Sequence, residues 1–163
     1  MNGIVSVPKL PLASRDEGEG PFIRSLSAAR AQAFFEYGAK YPMFAHLGMA
    51  LDHIETDRAV ISVGHIVQLE GPGGALHGGI LATAIDTSIG FAMASTMVEG
   101  YMVATVSLDV KYYRPAMSGR FKADGRILRK GRIVHGEVKM TDEAGRDVAQ
   151  GYCVYMPIKA GGA

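Results

Sequence analysis

From Gly79 to about Thr96 the chain reads GILATAIDTSIGFAMAST, with apolar or small residues on every side of a helical wheel and Asp86 as the only charge. A helix that is apolar all round has to be buried. Ile80 to Val98 is the one stretch that approaches the length of a membrane span, but Asp86, Gly90 and several serines and threonines are costly at that depth. The burial must therefore come from protein, and the rest of the chain has to supply a wrapper.

It supplies strands. Met49 to Ile54 and Arg58 to His65 read as a strand pair turned at Glu55-Thr56-Asp57. After the helix, Met102, Ala104, Val106, Leu108, Val110 and Tyr112 alternate with Thr105, Ser107, Asp109 and Lys111, which predicts a strand with one apolar and one polar face. Three more runs follow, near Gly119 to Leu128, Ile133 to Met140 and Val148 to Met156. They are joined by the hairpin sequences Arg129-Lys130-Gly131-Arg132 and Asp142-Glu143-Ala144-Gly145. A shorter amphipathic helix is expected earlier, with Leu26, Ala29, Ala33, Phe34 and Tyr37 at helical spacing and Gly38 as its stop. The sum is an α+β domain in which a curved antiparallel sheet of five to six strands wraps one long central helix.

The chain has 163 residues, enough for one domain with its own core. Residues 1–22, rich in Pro, Gly and charge, read as a flexible arm, and residues 23–163 as the domain. Basic and acidic side chains number 17 and 16, without the excess that marks a nucleic-acid binder. One cysteine, Cys153, excludes an internal disulfide and fits a reducing compartment. The N-terminal residues lack the basic cap and apolar run of a secretory signal, so the cytoplasm is the expected location.

The chemistry concentrates at Leu76-His77-Gly78-Gly79 and Asp86. Gly78 and Gly79 at a helix start leave N–H groups unshielded at the positive end of the dipole, where they suit an oxyanion developing on a carbonyl. A tight entry turn would use the same glycines. Asp86 in an apolar helix is costly twice, in burial and in helix propensity, unless it has a task or is satisfied by Thr83, Ser88 or a backbone amide. Gly78 and Asp86 are separated by about 12 Å of helix, too far for both to reach one carbonyl carbon. If they serve one substrate they come from different subunits, and catalysis then requires a dimer with two-fold symmetry.

Other groups are open to two readings. Arg129, Lys130 and Arg132 share one turn, either as a phosphate contact or as a solvated tip. Phe91, Met93, Met97 and Tyr113 either line an acyl pocket or fill the core. The five histidines show no ligand pairing, so no metal site is expected, and Cys153 is expected to pack.

Leu76-His77-Gly78-Gly79, Asp86 after six further residues, and a strand that runs from Thr105 to end in Tyr112-Tyr113-Arg114-Pro115 together resemble the phenylacetate-pathway type of hot-dog thioesterase, in the 4-hydroxybenzoyl-CoA thioesterase superfamily. The resemblance covers about Phe44 to Pro157. It implies the hot-dog fold, a homodimer or dimer of dimers, and hydrolysis of an aromatic or medium-chain acyl-CoA to free acid and CoA. Asp86 would act as general base on water, or as nucleophile through a mixed anhydride. The Gly78 amide would polarise the carbonyl from the neighbouring subunit, with His77 and Gly79 shaping that loop and Thr105 near the reaction centre. Ser107, Tyr112, Arg129, Lys130, Gly131, Arg132, Ile133 and Val134 would bind CoA. No cofactor is implied beyond the CoA of the substrate, and no nucleic-acid or membrane partner.

Two positions depart from the family pattern. Gly71 stands where an Asn or Gln often orients the carboxylate or water, with Gln68 and Glu70 nearby. Strict alternation also turns Thr105 to the polar face, away from the helix. A member that kept the fold and lost turnover would be an acyl-CoA binding or sensing module, the alternative function for this sequence.

Overall fold

The computed structural model describes residues 8–17 and 20–160. The first helices are α1 (Ala28–Lys40) and α2 (Pro42–Leu47). Ser27 caps α1 by accepting the Arg30 N–H at 3.3 Å. The expected stop at Gly38 does not occur. Gly38 lies within α1 because Phe44 and Leu51 pack against its bare Cα, and the helix runs on to Lys40. Pro42 then closes α1 and opens α2, a helix the sequence reading did not anticipate. Gly48, at φ +63°, ends it.

Six strands form one antiparallel sheet: β1 (Met49–Glu55), β2 (Arg58–Gly64), β3 (Tyr101–Tyr112), β4 (Arg120–Arg129), β5 (Val134–Thr141) and β6 (Asp147–Lys159). Their order is β1-β2-β4-β5-β6-β3, which leaves β1 and β3 at the edges. The long helix α3 (Gly78–Ala94) crosses the concave face. Leu81, Ala84, Ile85, Ser88, Ile89, Ala92 and Met93 are buried beneath it. Three glycines on neighbouring strands, Gly125, Gly136 and Gly151, let α3 approach closely. A Cβ at Gly136 would stand 2.7 Å from Ile89 Cδ1, and one at Gly125 would stand 2.5 Å from Ser88 Oγ.

The helix is not covered all round, as the sequence had implied. Ala82, Thr83, Asp86, Thr87 and Gly90 are only half-buried, and the space beside the Gly90 Cα is open. This face looks past β3, where the sheet ends.

The regular alternation expected of β3 fails at one residue. Pairing with β6 runs from Tyr101↔Lys159 to Thr105↔Tyr155 and resumes at Ser107↔Val154, which makes Val106 a bulge. Upstream of it Tyr101 and Val103 pack inward and Met102 and Val106 face out, at 53% and 57% exposure. Downstream Leu108 and Val110 take the inward positions. The assignment of Met102, Ala104 and Val106 to the face shared with Leu108 is therefore corrected, since one extra residue reverses the parity.

Part of the segment read as a flexible arm, residues 1–7, 18 and 19, lies outside the described residues. The remainder is packed. Ala13 bridges Val98 and Phe22 bridges Met97, and Leu10, Leu12 and Phe22 lie against the core. Phe91, Met93 and Met97 are buried core residues, Phe91 within an aromatic group formed with Phe34, Tyr37 and Phe44. Tyr113 is half-exposed and hydrogen-bonds Gln150. The four do not share a pocket. No helix among the described residues is long and apolar enough to cross a membrane.

Candidate active site

Asp86 sits midway along α3 and turns its carboxylate toward β3 and β6. The Thr105 hydroxyl donates to Asp86 Oδ1 at 3.1 Å, with Oδ2 at 3.4 Å. The Tyr155 hydroxyl is shared between Asp86 Oδ1 at 2.5 Å and the Asp86 carbonyl oxygen at 2.6 Å. Thr105 reaches the helix because the bulge at Val106 falls just after it, so the departure from strict alternation has a structural cause. Thr83 and Ser88 do not satisfy the carboxylate. Their hydroxyls bond to Gly79 and Ile85 carbonyl oxygens in their own helix.

Tyr155 was not found by reading the sequence. Its signal is faint: it is the one hydroxyl among the inward residues Ala149, Gly151, Cys153 and Tyr155 of β6. Burial, and then the neighbouring Asp86 carboxylate, push the phenol well above its ordinary range, so it remains a donor. Burial also pushes the Cys153 thiol up to about 12, with Asp86 adding to the effect, which leaves it an inert packing group.

The start of α3 is built by His77. Its Nδ1 accepts the Gly79 N–H at 3.0 Å, which places the proton of the neutral ring on Nε2. The Gly79 amide is thereby consumed. The Gly78 N–H, the first of the helix, carries no hydrogen bond among the described residues. Tyr112 from the end of β3 steadies this turn by donating to the Gly78 carbonyl at 2.9 Å. Beside it lies a cleft of about 360 Å³ lined by Leu76, Gly78, Leu81, Tyr112, Tyr113, Arg114, Pro115 and Ala116, so that of the four residues read as an acyl pocket only Tyr113 lines it. The structure thus brings His77, Gly78, Gly79 and Tyr112 together at one end of α3, and Asp86 and Thr105 at its middle.

The remaining residues read as a CoA site are placed elsewhere. Ser107 is exposed on the outer side of β3 beyond the bulge. Arg129, Gly131, Arg132 and Ile133 line a groove of about 430 Å³ on the β4–β5 hairpin. Lys130 turns away from it. Its ammonium pairs with Asp57 at 2.8 Å, lies 3.3 Å from the Thr96 hydroxyl and sits over the Phe22 ring. Val134 is buried opposite Tyr155. Gly71 offers no side chain, and its N–H donates to the Ala75 carbonyl at 2.8 Å. No cluster of three or more His, Cys, Asp or Glu suited to a metal is present among the described residues.

The model of the thioesterase superfamily matches residues 73–149, a span that holds His77, Asp86, Thr105 and the hairpin. A proofreading thioesterase of Klebsiella pneumoniae is 30% identical over 105 residues, 64% of this chain and 77% of that protein. A protein of Saccharolobus solfataricus described as an esterase is 31% identical over 105 residues, 64% of this chain and 74% of its own. The chain belongs to the thioesterase superfamily. This thioesterase superposes on a crystal structure of a thioesterase family protein from Silicibacter pomeroyi with a TM-score of 0.73 and 27% identity, covering 80% of this chain and 98% of that one. Six antiparallel strands around one long helix make it a hot-dog fold, and thioester hydrolysis is its reaction class. The superfamily match ends at residue 149, so Tyr155 of the thioesterase lies beyond the matched segment.

Proposed function

We propose that the chain hydrolyses an acyl-CoA thioester to a free acid and CoA, in sites shared between two copies. The observation that carries the reading is the setting of Asp86: a half-open carboxylate at the edge of the sheet, held by two hydroxyls and paired with no cation among the described residues. Asp86 takes a proton from water as that water attacks the thioester carbonyl carbon. The carbonyl oxygen becomes an oxyanion and accepts the free Gly78 N–H of the second copy. The intermediate then collapses, the C–S bond breaks, and the CoA sulfur leaves as thiolate and takes up the proton.

Two features support the shared site. About 12 Å of helix separates Gly78 from Asp86 within one chain. β3 is an edge strand of the sheet and lies beside the half-open face of α3, which makes this side of the protomer suited to a second copy in a homodimer. The cleft beside Gly78 is of a size for an aromatic or medium-chain acyl group. Arg129 and Arg132 on the hairpin groove are the cations for CoA phosphates, whereas Lys130 is already engaged by Asp57.

The test is steady-state thiol release from a panel of acyl-CoAs. Asp86→Asn keeps the size and the hydrogen-bond acceptor and is expected to lower kcat about a hundredfold or more in a folded protein. Tight CoA binding by the wild-type protein, with no turnover of any thioester, would instead assign the chain as an acyl-CoA binding module.

A further inference from the structure

Thr105 and Tyr155 are directly opposite each other in the β3–β6 ladder, the last pair before the bulge. Both hydroxyls reach across to the same carboxylate oxygen, Asp86 Oδ1, at 3.1 and 2.5 Å, whereas Oδ2 has only the 3.4 Å approach of Thr105. The Tyr155 ring is buried between strands that pair it with Thr105 on one side and Val134 on the other, so the hydroxyl has little freedom of its own. A core tyrosine needs only one acceptor, and the Asp86 carbonyl at 2.6 Å would suffice. Its sharing with the carboxylate is what fixes the Asp86 side chain. Nothing reaches it from the loop before α3: Gly71 has no side chain, and Gln68 makes no hydrogen bond to Asp86 among the described residues.

We propose that Tyr155 is the positioning residue for Asp86: with Thr105 it holds Oδ1 and leaves Oδ2 as the oxygen that takes the proton from water. The inference rests on Asp86 being the base of the proposed hydrolysis. Among the described residues the titratable groups facing Asp86 are Tyr155 and Cys153, both on β6. The inward residues of β2, β4 and β5 beneath α3 are apolar or glycine, among them Ile61, Ala123, Gly136 and Val138. Loss of the Tyr155 donor therefore removes a hydrogen bond that favours the charged carboxylate, with no cation to replace it.

The experiment follows Asp86 directly, by NMR of protein labelled with 13C at the aspartate carboxyls, with Asp86→Asn to assign the signal. In Tyr155→Phe the Asp86 titration is expected to move to higher pH. The acid limb of kcat/KM moves with it, and kcat falls about tenfold with KM little changed. 3-Fluorotyrosine at position 155, a more acidic donor that keeps the ring, moves the titration and the acid limb the other way. It also serves if the phenylalanine variant does not fold. A folded Tyr155→Phe or fluorotyrosine protein whose Asp86 titrates as in wild type overturns the proposal. Should the wild-type chain hydrolyse no thioester, the hydrolytic reading falls, and the Asp86 titration still decides whether Tyr155 holds the carboxylate.

Discussion

Within the proposed site the Gly78 amide is the group that side-chain mutagenesis cannot remove, but its place at the first position of α3 offers a way. Proline is tolerated at the first position of a helix, where its missing N–H costs no intrahelical bond. His77, at φ −57° and ψ 133°, already has the backbone that a following proline demands. Gly78→Pro is expected to leave the melting temperature nearly unchanged and to lower kcat about a hundredfold, whereas Gly78→Ala, which keeps the N–H, should lose far less. Equal kcat values for the two variants would remove the amide from the mechanism. Gly78 and Asp86 draw attention in the sequence because their signals are local, a glycine pair and a charge where a charge is costly, whereas His77 enters only through the family resemblance and its cap on Gly79 is seen in the structure. Tyr155 was not legible, because its partner is set by a strand register that only the folded sheet defines.

At the scale of elements, the seat of α3 depends on glycines in three adjacent strands. Gly136→Ala would drive a methyl against Ile89 Cδ1 and is expected to destabilise the fold by about 1–3 kcal/mol. Ile89→Val removes that atom and costs about 1 kcal/mol alone. Chemical denaturation of the double variant should give less than the sum of the single losses, and strict additivity would show that the two residues do not meet. The strands, the long helix and both late hairpins could be read from hydrophobic period and turn residues, since each repeats its signal over many positions. The bulge and α2 could not. A bulge is one residue long and leaves no period, so Met102, Ala104 and Val106 were assigned to the wrong face. The short α2 follows from Pro42 and Gly48 acting together, whereas Gly38, the expected stop of the first helix, lies inside α1.

For the whole molecule the proposed pairing makes a sharp prediction about mixtures. If each centre takes Asp86 from one copy and Gly78 from the other, a dimer of Asp86→Asn with Gly78→Pro has one site with both defects and one with neither. Unfolding and refolding the two inactive proteins together in equal amounts should restore about a quarter of wild-type activity by random pairing. If both groups came from one chain, no activity would return. The dimer follows from helix rise only if Gly78 and Asp86 serve one substrate, and the half-open face of α3 beside β3 is the surface that the proposed pairing would use. Gly90 lies on that face, with open space beside it. A glycine within a helix costs about 1 kcal/mol relative to alanine, and no contact among the described residues offsets it. In the proposed pair that open space is where the partner's helix would come close, so a cost borne by one protomer would be recovered by two.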